Sequence, residues 1–340
     1  MPQIAKVEDL EEKRKEMFDL NFETMMSNIE SIQGPLNNNY GEDSRFWKVS
    51  RNDKDVGLAV VRLLPSFIKQ NGEEKIVPFI KVYEHNINLG DYGSKRFYSA
   101  ESPASIGQPC AVSDLFRELG KVGTEEAEEL KKHIRRSTKF ISNVYIVNDV
   151  VKPENSGQFR LWKFGKKLLD KFNEAGNPSA EDLALGAEPI NVWDPIKGAD
   201  IKLKMVKSGG FYNYDSSEIL ARKPLKDFAN GDELKQWLKE NTIELTEFIE
   251  PGHFLTYEEQ CEKLRKTFEG SQAEEILRRI GSFLYAGDSS EKTSSSSNSA
   301  PKVETKPETK PTAKVETPQE QVVQNTVESA DDDLDFLDDL

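Results

Sequence analysis

Of thiol and imidazole side chains this sequence has few: two cysteines, Cys110 and Cys261, and three histidines in 340 residues. Two thiols build neither a disulfide framework nor a four-thiolate metal site, and no C-x-x-C occurs. His85, His133 and His253 are scattered, without acidic or thiol companions at ligand spacing. Long apolar runs are absent too: none approaches the roughly 18 residues of a spanning helix, and the N-terminus has no apolar signal core. A soluble protein of a cytosol-like compartment, with no membrane partner, is expected. Catalytic signatures are likewise missing: there is no G-x-x-x-x-G-K-[ST], G-x-S-x-G, H-E-x-x-H or strand-linked G-x-G-x-x-G. Nor does a D-x-D or E-x-K cluster end a predicted strand, as a two-metal nuclease requires. The expectation is a protein that is not an enzyme.

Cations are also in deficit, 46 Lys and Arg against 60 Asp and Glu, a net charge of −14. That balance speaks against a nucleic-acid partner until it is resolved along the chain. Residues 45–225 carry 29 basic against 24 acidic side chains, a net +5. Residues 1–44 carry −6, residues 226–287 carry −5 and residues 288–340 carry −8. A basic middle lies inside an acidic envelope.

Residues 7–33 read as an amphipathic helix, with Phe18, Phe22, Met25, Ile29 and Ile32 on one face and Gly34-Pro35 as its end. It serves either as a helix on its own core or as an arm that docks on another copy. From Arg45 onward short β-rich runs follow at 56–65, 75–84, 139–149, 157–164 and 199–207, interrupted by helical stretches at 111–136 and 165–175. Without regular βαβ alternation these suit a small barrel or sandwich rather than a wound parallel sheet. Residues 226–286 are mostly helical. From 289 a run of Ser, Pro, Thr, Lys and Glu cannot bury a core and reads as a disordered linker.

Within the basic middle, cations and aromatics interleave four times. Lys95 and Arg96 precede Phe97 and Tyr98; Arg135, Arg136 and Lys139 precede Phe140. Arg160, Lys163, Lys166, Lys167 and Lys171 surround Trp162 and Phe164, and Lys207 precedes Phe211, Tyr212 and Tyr214. Single-stranded nucleic acid is held in this way, by cations along the backbone and aromatic faces on which bases stack. Strand alternation turns about half of such aromatics into core residues, so Trp162 and Phe164 share one side and Lys163 points to the other.

Several segments carry a more specific likeness: RFWKV (45–49), RLLPS (62–66), PFIKVYEH (78–85), SNVYIV (142–147), KPENSG (152–157), FGKKLLDK (164–171) and FYNYD (211–215). In order and spacing the chain resembles the single-stranded DNA-binding, or helix-destabilising, proteins of T-even-type bacteriophages over about half its length. The resemblance implies an α+β protein: an OB-fold-like β-barrel core with helical additions, an N-terminal arm and a disordered acidic tail. It divides the chain into an arm (1–44), a single-stranded DNA-binding core (45–287), a linker (288–327) and a partner-binding tail (328–340). Carried over, Arg135, Arg136, Phe140, Lys166, Lys167, Phe211 and Tyr214 face the cleft, with Phe97 and Tyr98 as further aromatics; the pattern of residues adds Lys95, Arg96, Lys139, Lys163 and Lys207. Lys13, Arg14 and Lys15 match a basic self-association triplet, although Glu16 and Met17 stand where the family has hydroxyl side chains.

The family type holds zinc through a His and three Cys. Here the matching places are His85, Ser102, Cys110 and Ser113, so two of the four donors are hydroxyls, which are poor zinc ligands. No stoichiometric zinc and no other cofactor is expected. The last residues, ESADDDLDFLDDL, place seven carboxylates, among them Asp331, Asp332 and Asp333, around Leu334, Phe336, Leu337 and Leu340. Such a segment can imitate the ligand, with carboxylates for phosphates and Phe336 for a base, and the resemblance adds recruitment of replication proteins. The expected function is cooperative, largely sequence-independent coating of single-stranded DNA in viral replication, recombination and repair, in the cytoplasm of an infected bacterium. An RNA-binding regulator using the same cleft, or a phage scaffold protein, are the competing readings.

Overall fold

The computed structural model describes residues 43–70, 72–89, 96–208 and 211–287, with side chains to 280, together with residues 8, 10–12 and 14. Eleven strands occur among them: β1 (Phe46–Trp47), β2 (Gly57–Leu64), β3 (Ser66–Gln70), β4 (Glu73–Val77), β5 (Ile80–Asn88), β6 (Phe97–Glu101), β7 (Arg135–Asp149), β8 (Phe159–Gly165), β9 (Ala199–Ser208), β10 (Phe211–Asn213) and β11 (Glu218–Arg222). Helices α1 (Ala111–Val122), α2 (Glu125–His133), α3 (Lys166–Gly176), α4 (Ala180–Ala184), α5 (Gly231–Asn241), α6 (Tyr257–Thr267) and α7 (Gln272–Gly287) complete the order.

The sheet is organised by β7. Its 15 residues pair with β8 along one edge, from Lys139↔Gly165 to Tyr145↔Phe159. Its other edge is shared: β5 takes the first half, Arg135 to Ile141, and β2 takes the second, Asn143 to Asp149. Beyond β2 lies β9, which carries β10 and β11, and β1 joins β8 in parallel. The path runs β1-β8-β7-β2-β9-β10, with β6 on β5. It does not close on itself. An α+β fold is therefore observed, but the expected barrel is corrected to an open, branched nine-stranded sheet among the described residues. A second sheet, β3-β4, is a hairpin.

Alternation divides β7 between two layers. Phe140, Val144 and Ile146 point with Trp162 and Phe164 into the main core, where Leu168, Leu169 and Phe172 of α3 and Trp193 cover them. Ile141 and the β5 residues Ile80 and Val82 point the other way, under Leu245, Phe248, Ile249 and Phe254. A further core joins β6 to α1, α2, α6 and α7 through Tyr98, Leu115, Ile134, Leu264 and Leu277.

Local signals account for the helix ends. Thr124 caps α2 by accepting from Ala127 N, and Asn230 caps α5 by accepting from Glu233 N. Thr256 and Glu259 form a reciprocal capping box on α6. Gly123, at φ 68°, ends α1 in the left-handed region that glycine adopts freely. At Gly57 the constraint is space, since a Cβ there would lie 2.6 Å from Val49 Cγ1; the loop before β2 depends on that close approach.

Candidate nucleic-acid interface

Helix α3 starts directly after β8. Leu168, Leu169 and Phe172 bury its inner stripe, which turns Lys166 and Lys167 outward. Lys166 is 69% exposed and its ammonium is 3.9 Å from Asp170, an exposed pair of little energetic weight. Lys167 has no acidic partner among the described residues. The first turn of α3 contains no acid, so two cations stand at the positive end of the helix dipole. Such an arrangement disfavours itself within the chain and favours an external anion.

One turn further, Lys171 Nζ donates to the carbonyls of Asp215 and Ser217, each at 2.8 Å. That tie brings the loop after β10 against α3, and Lys167, four residues earlier, lies on the same side. The loop and its strand supply the aromatics. Phe211 is 63% exposed, and Tyr212, 39% exposed, has Lys207 Nζ 5.7 Å from its ring centroid. Tyr214 is half-buried, edge-on to Trp162 at 6.1 Å, and burial pushes its phenol up to about 12. Across the β7–β8 pairing Lys139, half-buried, sits opposite Gly165, next to the lysine pair. Lys139, Lys166, Lys167, Lys207, Phe211 and Tyr214 thus come from four separate stretches and border the β8–α3 junction or the β10 hairpin.

A second group lies at the β5–β6 end. Phe97, 58% exposed, shares its side of the sheet with Asn86, Asn88 and Arg135, all exposed. The other residues expected in the cleft are placed differently, because successive residues of a strand face opposite layers. Phe140 is 5% exposed and packs on Phe79 and Phe164 at 5.3 and 5.6 Å; it is a core residue, and a stacking face for a base is corrected to a packing face. Tyr98, 3% exposed, is buried in the β6–helix core in the same way. Arg136 is buried with its guanidinium carbon 4.3 Å from the Tyr83 ring centroid. Arg96 is engaged too, donating to the carbonyls of Thr267 and Glu269 at the end of α6. Lys95 lies outside the described residues.

Lys163 is the clearest correction. Its ammonium is held between Glu84, at 2.7 Å, and Glu101, and Glu101 in turn is bonded to His253 Nε2 at 2.5 Å. Burial pulls the Lys163 ammonium down, but the charges of Glu101 and Glu84 outweigh it and hold the pKa above its ordinary value. The charge is neutralised inside the fold.

His85, Ser102 and Cys110, which span 25 positions of the sequence, are gathered. Cys110 Sγ is 3.5 Å from His85 Nε2 and 3.2 Å from Ser102 Oγ, which donates to it. Ser113 Oγ is buried without a hydrogen-bond partner. Burial, with Arg136 adding to it, holds the imidazole down to about 4. One thiol, one imidazole and two hydroxyls do not fit the tetrahedral thiolate–imidazole set that zinc takes. The group packs as a small polar knot.

Arg14 is 8% exposed and bonds to Asp194 Oδ2 of its own chain at 2.8 Å, while Lys13, Lys15 and the tail residues 328–340 lie outside the described residues. Local reading along the sequence passes over Arg51, Lys81 and Tyr83. Arg51 stacks on Tyr212 at 4.2 Å and Lys81 lies over Tyr83 at 4.8 Å. The one signal available in the sequence is KVYEH, which carries Lys81 and Tyr83 two residues apart on one strand face; the partner of Arg51 is 161 residues away.

Comparison with known proteins places the chain in a family. The family described as gp32 DNA binding protein like matches residues 55–268. A curated protein of Enterobacteria phage T4, named single-stranded DNA-binding protein, is 29% identical over 227 residues, covering 66% of this chain and 71% of that protein. One of the same name from Enterobacteria phage T2 is 28% identical over 222 residues, 65% of this chain and 69% of its own length.

Proposed function

The chain belongs to the gp32-like family of DNA-binding proteins, and from that premise we propose that it binds and coats single-stranded DNA without catalysing a reaction. One observation carries the reading: the exposed Lys166–Lys167 pair opens α3, the helix that Lys171 ties to the loop after β10, and β10 carries the exposed Phe211. Phosphates neutralise the lysines, and bases stack on Phe211 and the neighbouring tyrosines. Bases must be unstacked to reach those rings, which selects single strands over duplex; phosphates and π-faces are common to all sequences, so sequence preference is weak. We assign β2, β5, β7, β8 and β9 to an OB-type platform, on which strand faces and loops meet the strand.

Cooperativity belongs to the same proposal. Arg14 reaches Asp194 in its own chain, and the carboxylate of a neighbouring copy offers the same bond. The acidic tail 328–340 competes for the cationic surface and, once DNA displaces it, recruits replication proteins. The role follows as coating of exposed strands during viral replication, recombination and repair in the cytoplasm of an infected host cell. RNA enters as an outcome of the test rather than as a second reading.

Oligo-dT affinity as a function of salt tests this reading, with the whole chain and with a chain lacking residues 328–340. Binding that weakens steeply with salt, and that tightens on tail removal most at low salt, is expected. Absent or salt-insensitive binding overturns the reading; equal affinities at low salt overturn the competition by the tail. Preference for a matched RNA oligonucleotide redirects the function to RNA.

A further inference from the structure

The loop between β1 and β2 faces the β10 hairpin, and the contact between them has an unusual composition for a surface. Arg51 stacks on the Tyr212 ring, its guanidinium carbon 4.2 Å from the centroid, and donates to Asp55 Oδ1 at 2.7 Å. It also contacts the Tyr212 hydroxyl. That hydroxyl lies 2.8 and 2.7 Å from the two Asp55 oxygens. One carboxylate therefore draws the donors of an arginine and a tyrosine together, with Lys207 beside the ring. Arg51 and Asp55 remain 44% and 45% exposed, so water and ions reach the pair.

Asp55 is held there against a local cost. At φ 61° it is the one non-glycine residue with positive φ among the described residues, a position that glycine takes without steric penalty. The turn is fixed by Asn52, whose Oδ1 accepts from Lys54 N at 3.0 Å and Val56 N at 3.1 Å. An open depression beside it has both Arg51 and Lys152 in its lining. Two cations and the Asp55 carboxylate line it together with the uncharged Val49, Ser50 and Asn52.

An oxyanion bridging an arginine and a phenol, at the rim of a cationic aromatic surface, occupies the place a phosphate would take. We propose that the Arg51–Asp55–Tyr212 cluster is a latch at the hairpin end of the interface: Asp55 stands in for a backbone phosphate of single-stranded DNA, and the strand takes Arg51 and Tyr212 over from it. In the free protein the latch holds the Tyr212 ring against Arg51. In the complex Arg51 turns to a phosphate between itself and Lys152, and the Tyr212 ring is released for a base. The inference rests on the single-stranded DNA reading above and adds a subsite and an internal competitor to it.

The test is oligo-dT binding across a salt series for Asp55→Asn, Asp55→Gly, Arg51→Ala and the Arg51→Ala/Asp55→Asn pair. Asp53→Asn, the same charge change on an exposed neighbour, is the control. Asp55→Asn is expected to tighten binding about two- to five-fold at low salt, the range in which exposed ion pairs act, and Asp53→Asn by less. Asp55→Gly removes carboxylate and strain together, so a folding defect does not account for its result. Arg51→Ala is expected to weaken binding and to take about 0.7 from the log–log salt slope. In its background Asp55→Asn gains no more than Asp53→Asn does, because there is no guanidinium left to free. Equal effects of Asp55→Asn and Asp53→Asn, an unchanged slope for Arg51→Ala, or the same gain in both backgrounds overturns the latch while single-stranded DNA binding stands. Loss of wild-type binding at every salt concentration overturns both.

Discussion

Lys163 and the Lys166–Lys167 pair are separated by two residues and live in opposite surroundings. Lys163 projects from β8 into a half-buried cluster, where Glu84 and Glu101 take its charge. Lys166 and Lys167 open α3 and leave theirs in solvent, on a helix end already positive. Local composition is the same for all three. What separates them is the layer each side chain faces: one is an internal cation that holds β5, β6 and β8 together, the others are cations without internal work. A basic, aromatic stretch of sequence thus contains two kinds of residue, and only the second is available to a polyanion.

The comparison breaks most visibly at Lys163. Lys163→Met leaves two carboxylates in a half-buried site and is expected to lower unfolding free energy by about 3 kcal/mol, read by denaturant titration. Acid sharpens the same point. Burial works to raise the Glu101 pKa, but the hydrogen bond from His253 and the charge of Lys163 outweigh it and hold the carboxyl below its ordinary 4.5. Because the folded value is the lower one, this contribution is complete above the unfolded pKa and is lost as the pH falls through the folded value. Stability measured below pH 4.5 should therefore fall less steeply in Lys163→Met than in the wild type.

On the other side of the comparison, Phe211→Ala should leave stability within about 0.5 kcal/mol while costing about 1–3 kcal/mol of oligo-dT binding, the worth of one stacked base. A drop in melting temperature with unchanged affinity would move Phe211 into the fold. Smaller in affinity, but specific in form, is Lys166→Ala with Lys167→Ala: the salt slope should become shallower by about 1.4, two phosphates at about 0.7 each. An unchanged slope would take the pair out of the interface.

Much of the fold was legible before any coordinates. The apolar stripe of Leu168, Leu169 and Phe172 marks α3, and the alternation of Trp162, Lys163 and Phe164 sends the two rings one way and the cation the other. The helical runs at DELKQWLKENT and YEEQCEKLRKTF appear as α5 and α6. Short or polar strands were not legible: β3, β6, β10 and β11 are only three to five residues long, and β6 and β11 alternate too weakly to stand out. The open sheet was hidden for another reason. That β5 and β2 divide one edge of β7 is a matter of register between residues 49 to 90 positions apart.

For the candidate site the division is sharper. Which residues are basic or aromatic, and that they cluster between 45 and 225 within an acidic envelope, is a property of the chain alone, as are the helix and strand periods that set neighbouring side chains on opposite sides. Partnership is not. Glu84 and Glu101 lie 79 and 62 residues from Lys163, and Tyr212 lies 161 residues from Arg51. Charge and π-contacts act over a few ångströms, so whether a cation is spent inside the fold or left for a ligand depends on which distant segments the sheet brings to that distance. The sequence determined the supply of cations and rings; tertiary structure decided that Lys163, Arg136 and Phe140 belong to the fold and that Lys166, Lys167 and Phe211 face outward.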